Sequence, residues 1–241
     1  MSPAANSGSI RLFVTAPLLA GAEVSATVAQ AHHLTHVMRR GVGDPVLLFN
    51  GAEGEWQARI TAIGRERARF AVVMRTRAQL AEPPLLLLFA LLKRDATDLA
   101  VRQATELGVT LIQPVLTART NAARVNLARL AAIAEAAAEQ CGRLSVPVLR
   151  EPAPLDDVLA AWPEERRLAL ASPGAARPEA GAGALLVGPE GGFTPPELDA
   201  LGRRPFVVAV GLGPHVLRAE TAIVAGLGAL HARGTGEPMP S

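Results

Sequence analysis

The chain has 241 residues, of which 49% are hydrophobic, and a formal net charge of +2. This length and composition exclude a disordered chain and predict one large or two small folded domains. The single cysteine, Cys141, excludes an internal disulfide framework and a cysteine-based zinc site, and it fits a reducing cytosol, so we expect a cytoplasmic protein. The longest apolar run, Leu85 to Leu92, is far shorter than the roughly 20 residues of a membrane helix, so we expect no membrane partner.

The charge is unevenly divided about Pro83 and Pro84, where we place a boundary between residues 1–80 and residues 81–241. The first segment holds nine arginines and five acidic residues, a net charge of +4, and the second has a net charge of −2. A basic module beside a slightly acidic one indicates that the first segment contacts a polyanion, although ordinary surface variation also explains so small a difference. Twenty-three of the 24 basic residues are arginines, which we attribute to genome composition.

In the first segment, short runs of branched and aromatic residues alternate with glycine-containing turns. This pattern predicts a small β-barrel or sandwich with strands in "RLFVT", "VLLFN", "EWQARITAI" and "RARFAVVM". Between the first two strands, the apolar residues of "VAQAHHLTHVMRR" recur at helical spacing and predict a helix that ends before "GVGD".

After Pro84 the predicted strands alternate with helices. The strands are "LLLLFALL", "LIQPVL", "RLALAS", "ALLVG" and "PFVVAVGL"; the helices are "ATDLAVRQATELG", "LARLAAIAEAAAEQCG", "PPELDALG" and "VLRAETAIVAGLGALHARG". This alternation predicts an α/β domain with a mostly parallel sheet, which binds ligands at the carboxyl ends of its strands. The low-complexity stretch "PGAARPEAGAGA" is predicted to be a surface loop.

Two glycine-rich turns fall at such strand ends, and the first is "VGPEGGFTPPEL". Thr194, Pro195 and Glu197 predict a helix start with a capping box. The glycines leave main-chain groups uncovered, so a flat ligand can approach closely, and we expect a branched side chain at Gly191 to block that approach and to oppose a positive φ. A tight strand-to-helix turn with an exposed glutamate is the structural alternative.

The second turn, "AVGLGPHVLRAETA", follows a predicted buried strand and partly imitates the dinucleotide fingerprint G-x-G-x-x-G. Val216 replaces the third glycine and no later strand carries an acidic residue for a ribose, which makes a nicotinamide oxidoreductase a weak alternative. Arg218, Glu220 and Thr221 stand at the start of the following helix, where they form either a binding site or simple helix caps.

Together the two turns resemble the signature of the SPOUT class of RNA methyltransferases. The chain is most similar to the ribosomal RNA small subunit methyltransferase E family, which methylates ring nitrogen 3 of a uridine in bacterial 16S ribosomal RNA. The resemblance covers nearly the whole chain, including "RLFV", "AHHLTHVMRRGVGDPVLLFNGAEGEWQARI", "DLAVRQATELGV" and "EAAAEQCGRLSVP". The order and spacing of these segments make it specific.

The resemblance implies a PUA-like RNA-binding barrel in residues 1–80 and an α/β domain with a trefoil knot in residues 81–241. It implies S-adenosylmethionine as the cofactor, 16S ribosomal RNA or the small ribosomal subunit as the partner, and a homodimer. Glu190 is expected at the rim of the cofactor pocket, near the cofactor or the incoming base. The residues expected to line that pocket are Leu186, Gly188, Gly191, Gly192, Leu212, Gly213, Leu217, Glu220 and Thr221.

The chain departs from the family pattern at three positions. The family often has threonine at the position of Ala219, serine at that of Cys141 and glycine at that of Arg94. The segment around "SPGAARPEA" also matches poorly. These departures put in doubt the contribution of that segment to the pocket.

The predicted helix of the basic segment carries further candidates. His32, His33 and His36 lie within about one helical turn, and the first and third are spaced for a metal, but no cysteine or acidic residue lies nearby. We expect no metal. RNA contact through His32 and His33, with phosphate contacts from Arg39, Arg40 and Arg11, is one interpretation; a solvated helix face is the other.

The chemistry of uridine distinguishes two possible acceptor atoms. Methylation at carbon 5 commonly uses a cysteine thiolate, and Cys141, in the middle of an alanine-rich helix, is predicted to be a buried apolar residue instead. Nitrogen 3 needs only to lose its proton, which a nearby guanidinium favours. Arg218 is the first candidate and Arg143 the second, although either could simply hold a phosphate; a ribosome-binding module without catalysis is the alternative function.

Overall fold

The structure is a computed structural model that describes residues 10–120, 125–176 and 183–234, the last three without side chains. The chain divides into two compact units. The first comprises Met1–Ala81 together with Ala138–Val146, and the second comprises Glu82–Ala137 and Pro147–Ser241. The sequence placed a boundary beside residue 81, but it gave no sign that residues 138–146 join the first unit.

The first unit is built on a five-stranded sheet in the order β1-β3-β4-β5-β2, in which β1 and β3 are parallel and the other pairs antiparallel. Alternate residues along β3, β4 and β5 are buried, including Val46, Leu48, Ile60 and Phe70, because one face of the sheet covers the core. The strands are β1 Arg11–Phe13, β2 Glu23–Ser25, β3 Pro45–Phe49, β4 Glu55–Ile63 and β5 Ala68–Arg77.

The helix of this unit, α1 Val28–His32, is shorter than the sequence predicted. It begins at a capping box formed by Thr27 and Gln30 and continues as one π-helical turn, His33–Val37. Strand β2 was not predicted, because its three residues present only Val24 to the core and carry polar residues on either side.

Arg11 on β1 holds residues 138–146 within the first unit. Its Nε lies 2.7 Å from Glu55 Oε2, a carboxylate that is itself buried. Its two terminal nitrogens donate to the carbonyl oxygens of Ala138, Glu139 and Arg143 at 2.7–2.9 Å. All three nitrogens are therefore engaged and the side chain is only 13% exposed, which removes Arg11 from the phosphate contacts expected from the sequence.

Packing and a further hydrogen bond also hold residues 138–146 in the first unit. The backbone N–H of Phe13 donates to Glu139 Oε1 at 2.9 Å, and Phe49 packs with Ala138 and Leu144 in a small separate core. Hydrogen bonds and apolar contacts thus hold the end of the helix Leu127–Cys141 in the first unit.

The second unit is an α/β fold with a sheet in the order β12-β10-β11-β6-β7-β8, in which each pairing is parallel and β9 also pairs with β7. Its strands are β6 Leu86–Ala90, β7 Leu111–Leu116, β8 Val148–Leu149, β9 Ala153–Pro154, β10 Leu168–Ala171, β11 Ala184–Val187 and β12 Val207–Val210. Its helices are α2 Arg94–Glu106, α3 Leu127–Cys141, α4 Leu155–Ala160, α5 Pro195–Gly202 and α6 Ala219–Gly234. A barrel-like sheet followed by a mostly parallel sheet with helices confirms the predicted fold class.

The central strands β6 and β11 are buried at every position, as the continuous apolar runs of the sequence indicated. Helix α6 lies so close to β11 that a Cβ on Gly226 would stand 2.7 Å from the Leu185 side chain. The sequence predicted that the strand before the second glycine-rich turn is buried, and this was wrong. That strand, β12, forms an edge of the sheet, and Val208 on it is 37% exposed. The second glycine-rich turn therefore follows an edge strand.

Cys141 is exposed rather than buried, because it is the last residue of α3 and Gly142, at φ 84°, turns the chain away. Strands β8 and β9 and helix α4 were not predicted, because they are too short to show a period in the sequence.

The trefoil knot stays a prediction, and residues 177–182 of the low-complexity loop lie outside the described residues. No helix among the described residues is long and apolar enough to cross a membrane.

Replacing Arg11 by methionine should destabilise the protein by about 3–5 kcal/mol, because it leaves the buried Glu55 carboxylate without its closest cation. The matched control is Arg69→Met, which removes an exposed ion pair with Glu23 in the same unit and should cost at most about 1 kcal/mol. Urea unfolding of both variants measures the difference. Equal losses would show that the Arg11 contacts contribute no more than a surface pair.

Candidate cofactor cavity

A cavity of about 810 Å³ lies at the carboxyl edge of the parallel sheet in the second unit. Strands β12, β10 and β11 are neighbours and point the same way, so the loops that follow them meet at this edge. Lys93 also lines the cavity, and it follows β6, the strand next to β11. The lining loops comprise residues 172–173 after β10, residues 188–193 after β11 and residues 212–218, with short gaps, after β12.

Glycines in two of these loops leave the main chain open. Gly192, at φ +68°, and Gly213, at φ +135°, have backbone conformations that side chains rarely adopt, and a Cβ at either would meet nothing within 4 Å. Gly191 has no positive φ, so the expectation that glycine is needed there for its backbone conformation is wrong. A Cβ at Gly191 would contact only the Arg119 side chain, at 3.4 Å. Glycine is required at position 188 by packing, since a Cβ there would stand 2.8 Å from the Phe193 ring.

A fourth glycine brings two of the loops together. The backbone N–H of Gly211 donates to the carbonyl oxygen of Ala176 at 2.6 Å, and a Cβ at Gly211 would stand 2.0 Å from the carbonyl oxygen of Ala175. Only glycine permits this approach. The loop after β10 is thereby held against the loop after β12.

The first glycine-rich turn is braced from the loop that follows β7. Thr194 and Glu197 form the predicted capping box, which the structure confirms. The same Glu197 also accepts a hydrogen bond from the backbone N–H of Ala118 at 2.7 Å, and Arg119 Nη1 donates to the carbonyl oxygen of Gly191 at 2.6 Å. The sequence did not indicate either contact, because 72 or more residues separate the partners.

Glu197 has a lowered pKa. Burial alone would raise the pKa of this carboxyl, but the backbone N–H groups of Thr194 and Ala118, the Thr194 hydroxyl and the charge of Arg119 together bring it below its ordinary value. The ionised carboxylate is therefore the form that holds the turn in place.

The rim of the cavity carries four charged side chains: Lys93, Glu190, Arg218 and Glu220. The same four line a second cavity of about 550 Å³, together with Arg94, Asp95, Ala96 and Leu99. Within the described part of the chain, none of the six charged side chains around these cavities makes a hydrogen bond or ion pair with another residue. Their charges remain available to a ligand.

The first cavity is lined by most of the predicted pocket residues, namely Gly188, Gly191, Gly192, Leu212, Gly213, Leu217 and Glu220, and also by Glu190 and Arg218. Two of the predicted pocket residues lie outside its lining. Leu186 is 0% exposed and packs within the core, and Thr221 is exposed on α6; neither lines the cavity. Arg143 belongs to the first unit, where it donates to Ser145 Oγ at 3.2 Å.

Lys93 and His215 line the cavity but were not predicted. His215 lies inside the second quoted turn and could have been selected there. Lys93 is the single lysine of a chain that otherwise uses arginine, and this was the signal available in the sequence.

In the first unit, His32 and His33 lie on α1 and the π-helical turn, and Arg39 and Arg40 lie in the loop that follows. The imidazole rings of His32 and His36 stack with centroids 4.3 Å apart, and His32, His33 and Arg39 are exposed. Arg40 is half-buried. The structure shows no group of three or more histidine, cysteine or acidic residues that could hold a metal ion in the ranges it describes.

Comparison with known protein families agrees with this architecture. Residues 80–231 match the model of RNA methyltransferase domains, and residues 27–73 match that of RNA methyltransferase PUA domains. The fold and the cavity at the sheet edge therefore define an RNA methyltransferase domain with an attached PUA domain.

Individual relatives cover nearly the whole chain. Ribosomal RNA small subunit methyltransferase E from Rickettsia conorii is 29% identical over 93% of this chain and 96% of its own. The Synechocystis protein of the same name is 33% identical over 92% of this chain and 77% of its own. A crystal structure of the Neisseria gonorrhoeae protein of that name, bound to S-adenosyl methionine, superimposes with a TM-score of 0.80 and 30% identity, covering 92% and 96% of the two chains. The chain belongs to the ribosomal RNA small subunit methyltransferase E family.

The lowered pKa of Glu197 predicts a pH-dependent contribution to stability. Because the folded-state pKa lies below the ordinary value of 4.5, this contribution is fully present above about pH 4.5 and is lost as the pH falls through the folded-state pKa. Glu197→Gln should therefore unfold at lower urea than the wild type at pH 7, and the difference should shrink when unfolding is repeated at a pH below 4.5. Asp199→Asn, on the same helix, serves as the charge control; a constant difference between wild type and Glu197→Gln at both pH values would contradict the prediction.

Proposed function

We propose that this protein transfers a methyl group from S-adenosylmethionine to ring nitrogen 3 of a uridine in 16S ribosomal RNA of the small subunit. The observation that carries the proposal is the first cavity, in which open main-chain groups of two glycine turns lie beside unpaired charges. The names of the relatives and the cofactor bound in the Neisseria gonorrhoeae structure support it.

The lining fits this cofactor in size and in chemistry. A volume of about 810 Å³ lies within the roughly 300–1,000 Å³ of ligand pockets. Gly192 and Gly213 offer main-chain groups that no side chain covers, and Leu212 and Leu217 offer apolar surface. When bound, S-adenosylmethionine supplies a methyl group on a positively charged sulfonium, and the carboxylates of Glu190 and Glu220 complement positive charge.

Arg218 is the residue we propose to act on the acceptor base. Ring nitrogen 3 must lose its proton before its lone pair can attack, and a guanidinium within about 4–6 Å lowers such a pKa by roughly 1–3, each unit corresponding to about 1.4 kcal/mol. Arg218 lines the cavity and makes no side-chain pair with another described residue. Arg143 stays the second candidate, and holding a phosphate stays the alternative role for either arginine.

The position of the cysteine supports nitrogen rather than carbon as the acceptor atom. A carbon-5 mechanism of the usual kind needs a thiolate at the base. Cys141 is the only cysteine of the chain, ends helix α3 and is not among the residues that line the cavity. The chain thus offers a cation but no thiol at the candidate site.

RNA contact by the first unit is proposed to rest on His32, His33, Arg39 and Arg40. The exposed imidazoles and guanidinium of this surface can contact phosphates and bases, whereas Arg11 is engaged internally. We also propose a homodimer. Val216 at the cavity rim is 82% exposed, which suits a residue covered by a second copy of the chain.

The acceptor atom is tested with 16S ribosomal RNA and small subunits from cells that lack the gene. Mass spectrometry of the product should find one new methyl group on nitrogen 3 of a uridine. Arg218→Ala should lose at least tenfold in single-turnover rate while cofactor affinity by calorimetry stays within about twofold, and Arg203→Ala, an exposed arginine outside the lining, should behave as wild type.

Cys141→Ala should keep most of its activity in the same assay. A folded, cofactor-bound Cys141→Ala protein without activity, or a methyl group on carbon 5, would overturn the proposed chemistry. A protein that binds the RNA but transfers no methyl group would instead be a ribosome-binding module.

RNA affinity of the first unit is tested by Arg39→Ala combined with Arg40→Ala. Loss of two phosphate contacts should weaken RNA binding and flatten its dependence on salt, with cofactor affinity unchanged. Because Arg40 is half-buried, the single variant Arg39→Ala guards against misfolding, and Arg69→Ala with Arg75→Ala removes the same charge from β5. An unaltered salt slope in the first double variant would place the RNA surface elsewhere.

A further inference from the structure

The second cavity lies beside the first, and Lys93, Glu190, Arg218 and Glu220 line both. Methyl transfer requires the acceptor atom to approach the methyl carbon from the side opposite the sulfur. An acceptor must therefore occupy space that is continuous with the cofactor cavity but separate from it. The second cavity, at about 550 Å³, adjoins the cofactor cavity at these four shared residues and lies within the size range of ligand pockets.

The charges around the two cavities are of both signs and are not neutralised by one another. The cations are Lys93, Arg94 and Arg218, and the carboxylates are Asp95, Glu190 and Glu220. No ion pair joins any two of them in the described structure. Unpaired charges of both signs at one junction suit two ligands of opposite charge, a cationic methyl donor and an anionic nucleotide.

The charged residues also differ in which cavity they line. Lys93, Arg218, Glu190 and Glu220 line both cavities, whereas Arg94 and Asp95 line only the second. Arg94 is exposed and makes no side-chain hydrogen bond with another described residue. A phosphate in the second cavity would therefore meet a guanidinium that has no competing partner, and such pairs can form two parallel hydrogen bonds.

We propose that the second cavity is the subsite for the acceptor nucleotide, with Arg94 as a contact to an RNA phosphate and Lys93 as a contact to the same nucleotide at the junction with the donor. This inference rests on the proposed function. It assigns to residues at the start of α2 a part in substrate binding that is distinct from cofactor binding.

The identity of residue 93 supports a specific role at the junction. The chain uses arginine at 23 of its 24 basic positions, and the single exception lies where the two cavities meet. An ammonium is a compact point charge on a flexible stem, whereas a guanidinium is a larger planar fork. A point charge leaves more room where a donor and an acceptor must come into contact.

The subsite is tested by Arg94→Ala in the full-length protein, with Arg102→Ala as the matched control. Arg102 is an exposed arginine on the same helix and lines neither cavity. Binding of the 16S RNA is measured by fluorescence anisotropy over a range of salt, with S-adenosylhomocysteine present so that no transfer occurs. Arg94→Ala should weaken RNA binding at least fivefold and reduce the salt slope by about 0.7–0.9, the value for one phosphate contact, while cofactor affinity stays unchanged.

Outcomes of this experiment separate the two proposals. If Arg94→Ala and Arg102→Ala bind RNA with the same affinity and salt slope, the subsite is wrong even when the wild type methylates nitrogen 3. If the wild type transfers no methyl group but Arg94→Ala alone loses the phosphate contact, the proposed function fails and the nucleotide site stands.

A second variant, Lys93→Arg, tests the role of the point charge. It should retain RNA affinity and salt slope but lose at least fivefold in single-turnover rate, because charge is preserved and shape is not. A wild-type rate for Lys93→Arg would overturn the assignment of Lys93 to the junction. Lys93→Ala should reduce both RNA affinity and rate.

Discussion

The contact between the main chains of Gly211 and residues 175–176 is the constraint on which the candidate site depends. The loop after the edge strand β12 can form a wall of the cavity only if it approaches the loop after β10 at hydrogen-bond distance. The parallel strands bring the loop ends to one edge of the sheet, but they do not by themselves bring two backbones into contact. The absence of a single side chain makes this contact possible, and it joins the loops after β10 and β12 that line one side of the cavity.

Arg11 of the first unit and the pair Arg94 and Arg218 of the second serve opposite purposes. Arg11 has every guanidinium nitrogen bound to a carboxylate or to carbonyl oxygens, so its charge is fully used in holding the fold. Arg94 and Arg218 have no such partners in the described chain, and their positive charge stands beside carboxylates that are equally unpaired. Unsatisfied charges of this kind do not stabilise a fold, which is why their concentration at one junction points to ligands.

Local features of the site could be predicted from the sequence, and long-range ones could not. The capping box of Thr194 and Glu197 and the alternation of strand and helix are local patterns, and both are found. Burial of β12 was predicted wrongly, because an apolar run does not reveal whether a strand has one neighbour or two. The contact of Arg119 with Gly191 and the engagement of Arg11 join residues far apart in the chain, and no spacing in the sequence indicates them.

Helix α3 starts in the second unit and ends in the first, so the polypeptide leaves the first unit and later returns to it. The first unit is therefore discontinuous in sequence, and cutting the chain near residue 81 does not yield two independent modules. A piece ending there would lack the residues that cover Phe49 and that occupy the Arg11 guanidinium. Proteolytic nicking at that point should leave the two pieces associated, and genetic exchange of the N-terminal module alone would break its core.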